Sequence, residues 1–206
     1  MERMKITGME TFLVYANAWY TGGDSPEIMA REAKETVARG YRGLKFNPFI
    51  RRRGFDFYRL DNSILNVGID CVAAVREAIG PTVDLYIDCN GVFNTVGNAV
   101  RAARLMEPYQ IGFIEEPIPH ENLTEMAYFR KKVDIPTATG ERLFTTFTFQ
   151  QLLELQGADI LQPDLCHCGG ILEARKIAAL ADTHYVAMAL TTLMDLLETA
   201  RQHTFR

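Results

Sequence analysis

Four apolar runs in this chain each end in an acid, and a lysine ends a fifth. The run "GFIEEP", residues 112 to 117, carries a short apolar approach into two adjacent carboxylates, Glu115 and Glu116, and Pro117 closes it. Asp88 lies at the end of "VDLYIDCN", Glu141 ends "IPTATGE" and Asp164 ends "ADILQPD". An acid after a single strand is ordinarily a helix cap or a surface residue; it is the succession that argues for chemistry. Carboxylates brought together repel one another and take up protons unless a cation neutralises them. Oxygen donors from Asp and Glu alone, with neither His nor a Cys pair among them, suit a hard ion such as Mg²⁺. Lys45, toward the end of "YRGLKFN", adds a second positive charge. Glu116 follows Glu115 directly, so alternation points it elsewhere, and its expected role is structural.

These residues need elements that bring strand ends together. Short apolar runs alternate with longer amphipathic ones, the pattern of repeated βα units around a parallel sheet. "FLVYANAWY" (Phe12 to Tyr20) reads as the first strand, and the runs quoted above, with "YVAMAL" last, supply six more. Ser25-Pro26-Glu27 opens a helix with a cap residue, a proline in its first turn and an acid, carrying Ile28, Ala33 and Val37 inward until Gly40 stops it. A second helix starts at Asn62 or Ser63, with Val67, Cys71 and Val75 inward. Further helices are expected at Thr95–Glu107, Leu123–Lys132, Phe147–Gln156 and Gly170–Asp182, the last marked by Ile171, Ala174, Ile177, Ala178 and Ala181 at helical spacing. The fold class is α/β, a modified TIM-type (β/α) barrel with about seven βα units. A full eight-unit barrel takes about 250 residues, and this chain has 206. In a barrel the C-terminal strand ends meet at one mouth, where active sites are built.

Composition narrows the classes of function. Of the residues, 48% are hydrophobic and 23% charged, and the formal net charge is −4, a balance that offers nothing to nucleic acid or an anionic membrane. The run Arg51–Phe55 ("RRRGF") reads as a solvated loop. No stretch nears the roughly 18 apolar residues of a membrane span, and the start "MERMKITGMETF" lacks the apolar region of a signal peptide. Four cysteines, Cys71, Cys89, Cys166 and Cys168, suggest no disulfide framework, which places the chain in the cytoplasm.

Five motifs in order, "GLKFNPF", "IDCNG", "FIEEPIP", "TGERL" and "ILQPDLCHCGG", resemble the barrel motifs of the enolase superfamily. The resemblance is to its mandelate racemase and muconate lactonizing enzyme branch, and within that to acid-sugar dehydratases of the galactonate type. It spans about residues 13 to 189 in register. It implies that Asp88, Glu115 and Glu141 hold one Mg²⁺ per site, that Lys45 sits beside a substrate carboxylate, and that Asp164 orients a catalytic histidine. The chemistry implied is abstraction of the proton α to a carboxylate through an enediolate, with Mg²⁺ supplying most of the stabilisation; superfamily sites with a Lys or His base and Mg²⁺ are among the known patterns of pKa tuning. In the dehydratases loss of the β-hydroxyl follows. A racemase, epimerase or cycloisomerase shares the first half-reaction and stands as the alternative. The substrate implied is a small carboxylate, an acid sugar.

The sequence departs from the pattern at several points. Lys-x-Lys is replaced by Lys45-Phe46-Asn47, and the expected histidine after the last strand falls at Thr191, whose hydroxyl is no ordinary base. The general-acid position two residues past the first metal ligand holds Asn90, which hydrogen-bonds without readily giving a proton. Residues 1–12 resemble one strand of the family's capping domain, residues 13–190 the barrel, and residues 191–206 a divergent amphipathic helix. A non-catalytic metal-binding barrel is therefore the reading from another class. His167, three residues past Asp164, carries two readings, a proton carrier at the mouth or a loop histidine bonding backbone. Asn47, Asn90 and Trp19 are the substrate-binding candidates. His120 lies just past the double-acid motif, Cys89 reads as packing, and "CHC" at Cys166 to Cys168 does not match zinc spacing. His184 and His203 carry no signal. Open strand edges invite association, so a homo-oligomer is expected; a monodisperse monomer by light scattering contradicts it.

Overall fold

A computed structural model of the chain describes residues 15–21, 25–49 and 62–191. The expectations for residues 1–12, for Phe12–Val14, for Arg51–Phe55, for the helix after Thr191 and for His203 lie outside the described residues. Among the described residues six α-helices and six strands alternate, with a 3-10 turn at Glu107–Tyr109 after α3: α1 Pro26–Ala38, β1 Gly43–Phe46, α2 Asn62–Ile79, β2 Asp84–Asp88, α3 Val96–Met106, β3 Phe113–Glu115, α4 Leu123–Arg130, β4 Thr137–Thr139, α5 Thr145–Glu154, β5 Ile160–Leu161, α6 Ile171–Thr183 and β6 Ala187–Met188. The strands form one parallel sheet in the order β1-β2-β3-β4-β5-β6. An open doubly wound sheet reverses its strand order at a switch point. Strictly sequential order is instead that of a barrel wall.

The local signals act as their chemistry requires. Ser25 Oγ accepts the Ile28 N–H at 3.5 Å, Pro26 occupies the first turn of α1, and Gly40, at φ +98°, ends it. Thr95 caps α3 and Asn122 caps α4 through their side-chain oxygens. The buried stripe of α1 differs from the one expected. Met29, Glu32, Ala33 and Thr36 face inward, while Ile28 and Val37 are half-buried. The rotation follows from Glu32, whose carboxylate turns into the structure to accept the Thr21 N–H at 2.8 Å. In α2 Cys71 and Val75 are buried as expected, with Leu65 and Val72 beside them, while Val67 is half-buried against the core. Arg76, in its last turn, donates to the carbonyls of Gly80, Val83, Tyr109 and Gln110, tying the helix end to the two turns beneath it.

Among the described residues the seven expected strands correspond to six and a bridge. Of the first run, Ala16 pairs with Leu44, its N–H reaching Gly43 O and its carbonyl receiving the Lys45 N–H, each at 2.8 Å. The strands are also shorter than the apolar runs, because the residues past each ladder turn into the loops of the mouth. Parallel pairing keeps one register, Tyr86↔Phe113 and Asp88↔Glu115, and so puts like residues on like faces. One face packs Leu44, Phe46, Leu85, Ile87 and Ile114 into the core beneath the helices. On the other, Tyr86 stacks on Phe113 at 4.3 Å and Tyr15 tilts against Tyr86 at 5.4 Å. Gly112 is required there, since a Cβ would meet the Tyr86 ring at 2.6 Å. Among the described residues no helix is long and apolar enough to cross a membrane.

Candidate active site

Register brings the acids together. Asp88 and Glu115 are directly paired residues at the mouth ends of β2 and β3, and Glu141 follows β4 by two residues. Lys45, on β1, is buried with 3% of its surface exposed. Its ammonium lies 2.5 Å from Glu115 Oε2 and 3.2 Å from Asp88 Oδ2. Gln162, past β5, donates to the same Glu115 oxygen at 3.1 Å. The backbone turn after Asp88 is held by its own Oδ1, which accepts the Asn90 N–H at 2.9 Å. Asn90 has φ +47°, a left-handed position that asparagine tolerates better than most residues.

The electrostatics follow from this crowding. Burial alone would lower the Lys45 pKa, but Glu115 and Asp88 outweigh it and hold the lysine well above its ordinary range. The Glu115 carboxyl is pushed up to about 7, by burial first, with Asp88 and Glu141 adding to it against the pull of Lys45. Glu141 is likewise raised, by burial and then by Glu116 and Asp88. One lysine does not balance this set.

The donors fit a hard dication. They are carboxylate oxygens, and Glu115 Oε1 is buried without a hydrogen-bond partner, an acceptor that asks for positive charge. As the side chains stand, no group of three or more His, Cys, Asp or Glu among the described residues is gathered to hold an ion. The Lys45 ammonium bridges Asp88 to Glu115 instead.

Glu116 has the structural partner the sequence left unnamed. It is buried, and its Oε2 accepts from Arg142 Nε at 2.7 Å; Nη2 makes an ion-pair contact with the same oxygen at 2.7 Å without a hydrogen bond, and Oε1 has no hydrogen-bond partner. Its φ of +37° is a left-handed position just past the end of β3. Sequence reasoning missed Arg142, although its place beside Glu141 in "TGERL" repeats the place of Glu116 beside Glu115.

The β5–β6 side is different. Asp164 is fully buried, and its Oδ1 accepts the backbone N–H of Cys166 at 2.6 Å and of His167 at 3.1 Å. Its Oδ2 is buried with no partner. Asp164 pairs with Thr191 across a parallel bridge, so the position opposite this acid is a threonine. His167 lies half-buried with Nδ1 2.9 Å from the Glu141 carbonyl, and its ring is 6.0 Å from Phe144. The geometry thus ties its backbone N–H to Asp164 and one ring nitrogen to the Glu141 backbone carbonyl.

The remaining candidates separate. Asn47 donates to Asn90 Oδ1 at 2.9 Å and accepts the Phe49 N–H at 2.8 Å, which joins two of the substrate-binding candidates at the β1 and β2 ends. Trp19 donates its indole N–H to the Lys45 carbonyl at 2.9 Å and packs against Tyr20 and Phe46. His120 is held below its ordinary pKa by burial and then by Arg142. Cys89 is buried beside Asp88, as packing requires, and all four cysteines are free thiols. Cys166 is exposed and Cys168 buried, so the "CHC" run does not converge on an ion.

Comparison with known proteins gives a consistent picture. The family model described as Enolase C-terminal domain-like matches residues 28–204. The chain is 40% identical over 176 residues to D-gluconate dehydratase of Thermoproteus tenax, covering 85% of this chain and 34% of that protein. It is 36% identical over 186 residues to D-gluconate/D-galactonate dehydratase of Picrophilus torridus, covering 90% and 46%. The solved structure of a member of the enolase superfamily from Salmonella Typhimurium superposes with TM-score 0.76 at 31% identity, covering 82% of this chain and 44% of that one. The chain spans between about a third and a half of these relatives' lengths.

Proposed function

The chain belongs to the enolase C-terminal domain-like family, and from that premise we propose that it works as a Mg²⁺-dependent acid-sugar dehydratase, a lyase acting in the cytoplasm on aldonates such as gluconate or galactonate. The observation that carries this reading is the set of carboxylates on successive strand ends, Asp88, Glu115 and Glu141, with the buried, unpartnered Glu115 Oε1 among them. Those three residues would hold the ion. A bound Mg²⁺ supplies the positive charge that makes a proton α to a carboxylate removable.

The protein's own groups do the rest. Lys45, kept protonated by its two acids, presents a fixed ammonium to a substrate carboxylate. The joined amides of Asn47 and Asn90 offer hydrogen bonds to hydroxyls at the same mouth. His167 is the proton carrier, standing between the Glu141 carbonyl and Asp164. Asp164, fixed by two backbone N–H groups, sets that loop.

The test is turnover of a panel of aldonic and aldaric acids with Mg²⁺, following 2-keto-3-deoxy product, with an EDTA control. Metal-dependent product, lost in His167→Ala, is the expected outcome; no product from any acid contradicts the reading. A second reading, a metal-binding barrel without turnover, is favoured by one observation, the threonine opposite Asp164. It predicts that Mg²⁺ raises the melting temperature while no acid is consumed.

A further inference from the structure

The residues that follow two of the carboxylates are themselves a pair. Glu116 comes directly after Glu115 and Arg142 directly after Glu141, and they meet across the β3 and β4 ends in an ion pair at 2.7 Å, both guanidinium nitrogens against Glu116 Oε2. Neither site nor family comparison gives them a task.

The backbone around Glu116 is bound on both sides. Its N–H reaches the Ala138 carbonyl of β4 at 3.0 Å, and its carbonyl receives the Gly91 N–H from the β2 end at 2.6 Å. The Cys89 N–H reaches the Glu115 carbonyl at 2.9 Å. Glu116 holds a left-handed φ of +37° while its side chain meets Arg142. A strained non-glycine residue persists only where its surroundings hold it, and such residues gather at functional sites. Room for the guanidinium is also specific. A Cβ on Gly91, itself at φ +68°, would lie 2.6 Å from Arg142 Nη2 and 3.3 Å from Pro119. Glu116, Arg142 and Gly91 therefore interlock the mouth ends of three neighbouring strands, each at a residue close to one of the three acids.

We infer that the Glu116–Arg142 pair is a positioning clamp that sets the separation of Glu115 and Glu141, and through Gly91 of Asp88, for the ion they share. This rests on the Mg²⁺ reading above. Two guanidinium nitrogens converge on one carboxylate oxygen, Glu116 Oε2, and the planar group they belong to fixes where that oxygen sits more closely than a lysine's single ammonium would. Groups supporting metal ligands ordinarily matter about 10- to 100-fold in metal affinity when altered.

The experiment is Mn²⁺ binding to the whole chain, followed by electron paramagnetic resonance, for the unaltered protein and for Glu116→Gln, Arg142→Gln and the double variant. Melting is recorded alongside. Arg142→Gln leaves a buried carboxylate unpaired and is the variant most at risk of not folding. The double variant removes both charges and keeps the question open to measurement. The expected result is a roughly 10- to 100-fold weakening in each single variant, with the double no weaker than the weaker single, since the pair acts as one unit. A merely structural pair lowers melting and leaves Mn²⁺ affinity unchanged, and that result overturns the clamp while the Mg²⁺ reading survives. Failure of the unaltered protein to bind Mn²⁺ overturns both.

Discussion

The two sides of the barrel mouth solve the problem of a buried acid differently. At the β2–β4 ends, Asp88 and Glu115 share a buried lysine, Gln162 supports Glu115, and Glu116 takes Arg142. At the β5–β6 side, Asp164 is held by two backbone N–H groups and no side-chain cation, and its second oxygen, like Glu115 Oε1 and Glu116 Oε1, has no hydrogen-bond partner. The first arrangement is a network of side-chain charges, so its stability and its function draw on the same contacts. The second is a matter of aim: backbone geometry points the acid, and whatever it is to act on must come from residue 191 or from the neighbouring loop. Aim and partner are separable, and here they are separated.

Removing the lysine gives the largest expected effect on this contrast. Lys45→Met leaves Asp88 Oδ2 and Glu115 Oε2 without their cation in a buried site, and breaking such a pair costs about 3–5 kcal/mol. Denaturant unfolding in EDTA is the measurement, and Mg²⁺ should return part of the loss. A cost under about 1 kcal/mol, the scale of an exposed pair, contradicts the description of this side as one network.

Thr191→His tests the other side. The parallel bridge puts residue 191 beside Asp164, and a histidine there gives the sealed Oδ2 a group to orient. A positioned general base is worth about 10²- to 10⁴-fold, so exchange of the substrate α-proton with deuterated water, read by NMR with gluconate and Mg²⁺, should rise by about 10²-fold or more. No rise indicates that Asp164 is aimed at something other than residue 191.

The same contrast explains what could be read in the sequence. Local signals were legible: Ser25-Pro26 and Gly40 bound α1, and the helices expected from Thr95, Leu123, Phe147 and Gly170 all form within a few residues. Strand-end acids were legible too, because parallel register converts position along a run into position at the mouth. What stayed hidden depends on partners distant in sequence. Glu116 finds Arg142 across 26 residues, and Glu32 turns inward for Thr21. Periodicity assigns a face to a residue, but an acid on a buried face is understood only when its cation or donor is known. The first strand was legible as an apolar run, yet among the described residues it contributes one bridge, since ladder length is decided by neighbours rather than by the run itself.

The smallest expected effect, which sets the mouth acids against a carboxylate outside the mouth, is the dependence of stability on pH. In EDTA the mouth acids bind protons more readily folded than unfolded. Glu115 rises from 4.5 to about 7, and Glu116 and Glu141 rise too, each by burial first. The folded state then holds more protons than the unfolded one between those values, so stability falls as pH increases from about 4.5 toward 7. On the outside of the β5–β6 half, Glu173 accepts from the Thr146 N–H at 2.9 Å and from its hydroxyl, and its carboxyl is held at about 2. Its contribution has the opposite sign: present above 4.5 and lost as pH falls toward 2. It is a small one, because the group is solvent-screened. Melting temperature without metal should therefore pass through a maximum near pH 4.5. Saturating Mg²⁺ should remove the decline above it, by giving the mouth acids their cation, and leave the decline below it untouched. A profile that rises from pH 4.5 to 7 in EDTA would mean that Lys45 alone neutralises those acids, and the two halves of the mouth would then differ less than their geometry suggests.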